Sequence, residues 1–320
     1  MVSFGSRIRH RHRLSSDGAS TRRPPGQLKS QSSAPLPPPS LHEAPELPEG
    51  IERPPRPDRP GWKPWTAWVA LIAAFGAALV GAAGVGIIGA LAGADFSDPT
   101  PAVNIGATIV QDLCLIAAAI LFAGMAGRPL PEQFGLRPTS PWKALGWMVA
   151  AFVTFYLVTL IWVAIVGGNP DDEKLPDELG ADRSTIALLS VAFLVSVVAP
   201  IAEEFFFRGF FYGALRNWRG VLPAAIITGL VFGAIHAGSA DWEFLLPLAV
   251  FGFVLCLLRE RTGSLYPCIA LHCANNSLAF GVSQDWGWEI PVLFLGSLGL
   301  ITLAALAVRA RWTSAAAPGT

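Results

Sequence analysis

Charge is scarce in this sequence. Of 320 residues, 14% are Asp, Glu, Lys or Arg against 52% hydrophobic, with a mean hydropathy of +0.48. The apolar residues gather in long runs rather than at amphipathic spacing. This composition excludes an ordinary water-exposed domain and places the chain in the membrane class. Cysteine is scarce too: Cys114, Cys256, Cys268 and Cys273 all fall inside apolar runs. They lack the paired spacing of a disulfide framework or a zinc ribbon and read as small buried hydrophobes. HExxH is missing altogether, which excludes the usual zinc-protease helix. Asp112 is the only aspartate deep in an apolar run, so a paired-aspartate mechanism lacks its second member. Ser283 lies at the end of a run with no third group to orient it as a nucleophile beside His272. No internal repeat of the kind that builds transporters from two halves is visible.

Residues 1 to about 60 are a different material, poor in apolar residues and rich in Arg, Ser and Pro. They read as a disordered tail. With neither an apolar core nor a small-residue cleavage site, the tail is not expected to be removed as a signal peptide. From Trp65 onward eight apolar runs follow, near 65–93, 103–127, 142–167, 184–212, 221–238, 242–259, 264–282 and 289–309. Most have the length of a bilayer-spanning helix, so the expected fold is an all-α polytopic bundle of about eight membrane helices over 61–320. If the tail is cytoplasmic and all eight runs cross, every one of the 23 Lys and Arg residues except Lys174 and Arg183 lies inside. The outer loops collect Asp95, Asp98, Asp171, Asp172, Glu173, Asp177, Glu178, Asp182, Asp241, Glu243, Asp285 and Glu289. This positive-inside pattern puts both termini in the cytoplasm. Gly89 and Gly93, at GxxxG spacing, allow close packing of the first helix.

Ionisable groups inside a bilayer are costly and are rarely kept without a partner or a task. Here they concentrate in the fourth, fifth and seventh runs. Glu204 and Arg208 are four apart and share a helix face, so an ion pair is expected; Glu203 points about a quarter turn away and is free to meet another helix. His272 and Asn276 repeat the interval, as do Phe232 and His236, where the ring would pack beside the imidazole. Two carboxylates, two imidazoles and an amide suffice for water-dependent amide hydrolysis. A glutamate, alone or with a histidine or a bound metal, takes a proton from water. An imidazole and a carboxamide donate hydrogen bonds to the developing oxyanion. The same imidazoles and carboxylates also suit zinc. Taken one at a time, each group has a structural reading as a helix-to-helix contact. Asp112, beside Gln111, fits either a polar contact between helices or support of the site.

The ordered motifs EExxxR (Glu203, Glu204, Arg208), FxxxH (Phe232, His236) and HxxxN (His272, Asn276) on separate helices resemble those of the CPBP family. That family groups CAAX prenyl endopeptidases with bacteriocin-processing and immunity (Abi-like) proteins. The resemblance covers about 130–285, and Phe134-Gly135-Leu136-Arg137 is similar to a short element often found there. It implies an intramembrane endopeptidase, metalloprotease-like, in which Glu203 with His236 activates water and His272 with Asn276 stabilises the oxyanion. Arg208 would hold Glu204, and Phe232 would support His236. A divalent metal, zinc by preference, would draw on Glu203, His236 and His272; a glutamate acting without metal stays an equal alternative. The implied partners are a peptide or protein substrate, prenylated in one branch of the family, and the lipid bilayer, with no nucleic acid. The competing readings are a non-enzymatic immunity or scaffold protein of the membrane, and a transporter with a midplane polar site.

Overall fold

The computed structural model describes residues 60–167 and 175–315; residues 1–59 of the expected tail lie outside this description. The apolar runs form helices, and among the described residues there is no strand. The principal helices are α1 (Pro64–Leu91), α2 (Pro101–Gly124), α3 (Pro141–Val166), α4 (Thr185–Arg219), α5 (Val221–Ile235), α6 (Trp242–Thr262), α7 (Tyr266–Ser283) and α8 (Glu289–Ala315). Proline sets several starts: Pro64, Pro101 and Pro141 occupy the first turns of α1 to α3, where a missing N–H costs nothing and φ is already helical. Six segments are long and apolar enough to cross a membrane: α1 to α4, α5 with the turn that follows it (Val221–Gly238), and α6. Of the eight spans expected, these six meet that criterion. The other two form as helices; α7 is diluted by His272, Asn275 and Asn276.

Contacts between loops sort the helix ends into two faces. At one, Asn217 donates to Pro60 O, Arg216 pairs with Glu260, and Thr139 donates to Thr262 O. At the other, Arg183 pairs with Asp98 and Asn104 donates to Glu178 O. Trp162 Nε1 joins that second face to the start of α6 by donating to Glu243 O at 2.7 Å. Pro247 explains why that carbonyl is free: it stands four residues on, inside α6, and has no N–H to offer. The helices therefore alternate in direction, and the two faces are those the charge pattern separated, one basic and one acidic.

Two close crossings bring the functional helices together. A Cβ on Gly229 would lie 2.5 Å from Ala249 O, and one on Gly233 2.5 Å from Leu245 O, so α5 and α6 meet backbone to backbone. The buried rings of Phe206, Phe207, Phe210, Phe211, Phe232 and Phe251 fill the centre beside this seam. Of the expected GxxxG pair, Gly89 does face α2, where a Cβ would lie 2.5 Å from Val103 Cγ2, whereas Gly93 lies past the helix end with φ +95° and serves the turn.

Candidate functional site

α4 carries the two glutamates and is not wound uniformly. Leu194–Val198 and Phe205–Phe211 are π-helical, and the α-helical turn Ala199–Glu204 sits between them. Such widened turns leave carbonyls without an intrahelical donor and recur at functional sites. Here the cause is local. Ala199 N donates to Leu194 O, and Pro200 has no N–H for Val195 O. Asn276 Nδ2 fills the vacancy from α7, donating to Val195 O at 3.0 Å. Asn276 Oδ1 in turn accepts from Asn275 Nδ2 at 3.3 Å, and Asn275 Oδ1 accepts from the Tyr156 hydroxyl at 3.1 Å. The amide named in the sequence is thus the end of a chain reaching α3.

Glu204 is fully enclosed, and its Oε1 serves two donors. Arg208 Nη1 lies 2.8 Å away, forming the expected ion pair, and His272 Nδ1 also lies at 2.8 Å. Arg208 rests its guanidinium carbon 4.3 Å from the centre of the Phe232 ring, a cation–π contact in a desolvated setting. The rings of Phe251 and Phe232 meet the His272 ring edge-on at 5.3 and 5.9 Å. Donation from Nδ1 to a carboxylate fixes the tautomer and leaves Nε2 as the working nitrogen of His272. That atom stands 3.9 Å from Glu203 Oε2. Glu203 is the less enclosed of the two glutamates, and its buried Oε2 has no hydrogen-bond partner.

His236 closes α5. Its Nδ1 lies 2.7 Å from Phe232 O, one turn back, and its ring sits 4.8 Å from that of Phe232. Nε2 is therefore its free nitrogen. No hydrogen bond joins His236 to Glu203 among the described residues. Glu203, His236 and His272, the trio that the resemblance implies for a metal, do not gather as one ligand set: among the described residues no three His, Cys, Asp or Glu side chains cluster as a metal would require. Each imidazole has Nδ1 tied, by Phe232 O or by Glu204, which leaves Nε2 as the open nitrogen of both rings.

Asp112 is buried in α2, which packs along Ala199–Glu204, and both its carboxylate oxygens lack a hydrogen-bond partner. Sequence reasoning missed Asn275, Tyr156, Phe251 and Val195. Pro200 inside the apolar run was the available signal for the last of these. The FGLR element also has a structural task. Phe134 stacks on Phe205 with ring centres 4.6 Å apart, Gly135 O accepts from Leu265 N, and Arg137 Nε donates to Gly263 O. The short element thereby ties the α2–α3 connection to the turn before α7.

Residues 185–278 match the family model of the Rce1-like type II CAAX prenyl endopeptidases, the stretch that holds all three motifs. A putative membrane peptidase, YdiL, of Bacillus subtilis is 34% identical over 136 residues, covering 42% of this chain and 53% of that protein. The uncharacterized protein YyaK of the same organism is 32% identical over 143 residues, 42% of this chain and 46% of that one. An uncharacterized 24.3 kDa protein of Escherichia coli is 28% identical over 157 residues, 47% of this chain and 67% of that one. The chain spans about half the length of the first two. No solved structure matches.

Proposed function

We propose that this chain, similar over α4 to α7 to CAAX prenyl endopeptidases, is an intramembrane endopeptidase whose catalytic base is Glu203. The observation that carries the reading is the 3.9 Å gap between Glu203 Oε2 and His272 Nε2. It is too wide for a direct hydrogen bond, yet one water can sit about 2.8 Å from both atoms. Glu204, held by Arg208 and His272, is committed to structure. Glu203 is left as the carboxylate free to take a proton.

In this scheme the Glu203 carboxylate takes one proton from the water as its oxygen attacks the scissile carbonyl carbon. The C=O electron pair moves to oxygen, and the second N–H of the Asn276 carboxamide, the first being held by Val195 O, donates to the oxyanion. Collapse breaks the C–N bond, and the proton on Glu203 passes to the leaving amine. His236, with Nε2 free, orients the incoming water or the leaving group. The basic face is cytoplasmic on this reading. Peptide tails approach Glu203 from that side, roughly four turns of α4 from Arg219. Prenylated C-terminal tails are one substrate class to test.

The test is cleavage of a peptide library, farnesylated CAAX peptides included, by detergent-purified wild type, Glu203→Gln and Glu203→Asp, each with and without a strong chelator. Wild-type cleavage lost in Glu203→Gln supports the base. If no peptide is cut while Glu203→Gln keeps the cellular role, the enzyme reading fails and a scaffold or immunity role replaces it.

A further inference from the structure

At the basic face, the start of α3 and the end of α6 present two exposed cations, Lys143 and Arg261, around Trp147. The two helices are fixed against each other. Thr139, just before α3, donates to Thr262 O at 3.0 Å, and deeper in the rings of Phe155 and Phe251 meet with centres 4.8 Å apart. Across the same seam the Arg261 guanidinium carbon lies 4.8 Å from the centre of the Trp147 ring, within cation–π range. Lys143 stands four residues before Trp147 on α3, so the two share a helix face. Helical side chains lean toward the N-terminus, and the indole therefore leans back over the turn that carries Lys143.

These groups are open to their surroundings and short of counter-charge. Trp147 is 37% exposed, and a guanidinium lying on a ring keeps the N–H groups at its rim free. α3 contains no acidic residue. On α6 the neighbouring Glu260 is taken by Arg216 at 2.7 Å and by the Tyr212 hydroxyl at 3.2 Å. Among the described residues no carboxylate pairs with Lys143 or Arg261. Depth identifies the missing anion. The 26 residues of α3 extend about 39 Å, against ~30 Å of hydrocarbon core. Its first turn therefore stands at headgroup level, as does Arg261, one residue before the end of α6.

We propose that Lys143, Trp147 and Arg261 form a docking site for the headgroup of one anionic phospholipid, its phosphate held between the ammonium and the guanidinium. A zwitterionic lipid brings its own cation beside the phosphate, so a headgroup of net negative charge is preferred. The bound lipid ties the ends of α3 and α6 together from outside. The site stands independently of the hydrolytic reading.

The experiment titrates the full chain in a neutral detergent with phosphatidylglycerol, or with phosphatidylcholine as control, and counts bound lipid by native mass spectrometry. One phosphatidylglycerol should bind with saturation and phosphatidylcholine distinctly more weakly. Lys143→Gln and Arg261→Gln should each weaken that binding about fivefold, the worth of one basic residue at an anionic surface. Both alter exposed side chains, and either carries the test if the other fails to fold. Arg219→Gln removes another exposed arginine, stacked on Trp218 at 4.0 Å, and should leave the binding unchanged. Equal weakening by Arg219→Gln, or equal binding of the two lipids, would mean diffuse attraction and overturns the site. Displacement of the lipid by glycerol phosphate at equal concentration would assign the cations to a free phosphate and overturns the lipid.

Discussion

His272 Nδ1 and Glu204 Oε1 stand 2.8 Å apart although 68 residues separate them in the chain. The same oxygen accepts from Arg208 at 2.8 Å. One carboxylate oxygen therefore joins α4 to α7, sets the tautomer of His272, and neutralises a buried guanidinium. Adjacent glutamates in one motif thus differ in their partners: Glu204 Oε1 accepts from two side chains, and the buried Glu203 Oε2 has none.

Glu204→Gln strands the Arg208 charge in the interior, and breaking a buried pair in this way costs about 3–5 kcal/mol. Thermal unfolding in detergent should show a large fall in midpoint. Glu204→Leu combined with Arg208→Met should recover much of that stability and none of the cleavage.

Glu203→Gln removes no hydrogen bond of the buried Oε2 among the described residues. Its unfolding midpoint should fall far less than that of Glu204→Gln, while peptide cleavage drops about a hundredfold to ten-thousandfold, the range of a lost general base. Equal losses of stability in the two variants would contradict the division of labour.

Gly233→Ala would place a methyl group 2.5 Å from Leu245 O, a backbone atom that cannot turn aside. Overpacking of this kind costs about 1–3 kcal/mol, and the displaced α5 carries Phe232 and His236 with it. Gly84→Ala on α1, where nothing lies within 4 Å, should leave the midpoint unchanged or slightly raised.

Asn276→Leu removes the donor to Val195 O and should destabilise by about 1–3 kcal/mol. Pro200→Ala restores a backbone N–H near that carbonyl. A double-mutant cycle of the two should show the Asn276→Leu cost reduced in the Pro200→Ala background. A purely additive cycle would mean the proline does not create the vacancy.

Arg183 holds the exposed Asp98 carboxyl below its ordinary value of 3.8. A depressed carboxylate contributes stability that is fully present above its unfolded pKa and is lost as pH falls through the folded one. The difference in midpoint between wild type and Asp98→Asn should be small, as for any exposed pair. It should be constant at neutral pH and vanish as pH drops from about 4 downward.

The apolar runs, the alternation of charge between the two faces, and the Glu204–Arg208 and Phe232–His236 spacings could be read from the sequence because each depends on neighbours within one helix. Spacing shows which residues share a face. It does not show what faces them, so the Glu204–His272 bond and the chain from Asn276 to Tyr156 had to come from packing. The π-helical turns of α4 escaped for another reason: in a run apolar on every side, a change in winding leaves no periodic mark. Pro200 was the single local hint. Gly93 misled because GxxxG spacing carries meaning only while the helix continues.

The FGLR element ties parts of the chain made at very different times. Arg137 meets Gly263 across 126 residues. At a synthesis rate of about 5–20 residues per second, the α2–α3 connection waits about 6–25 s for the turn that will hold it. α4 and α5 enter the membrane during that interval, so the stacking of Phe134 on Phe205 becomes available before the Arg137–Gly263 bond can close. The aromatic contact of the α2–α3 connection is therefore available earlier in synthesis than its hydrogen bond to Gly263. A chain truncated before Gly263 lacks this bond entirely, so the α2–α3 connection is held at that stage by the Phe134–Phe205 stack alone.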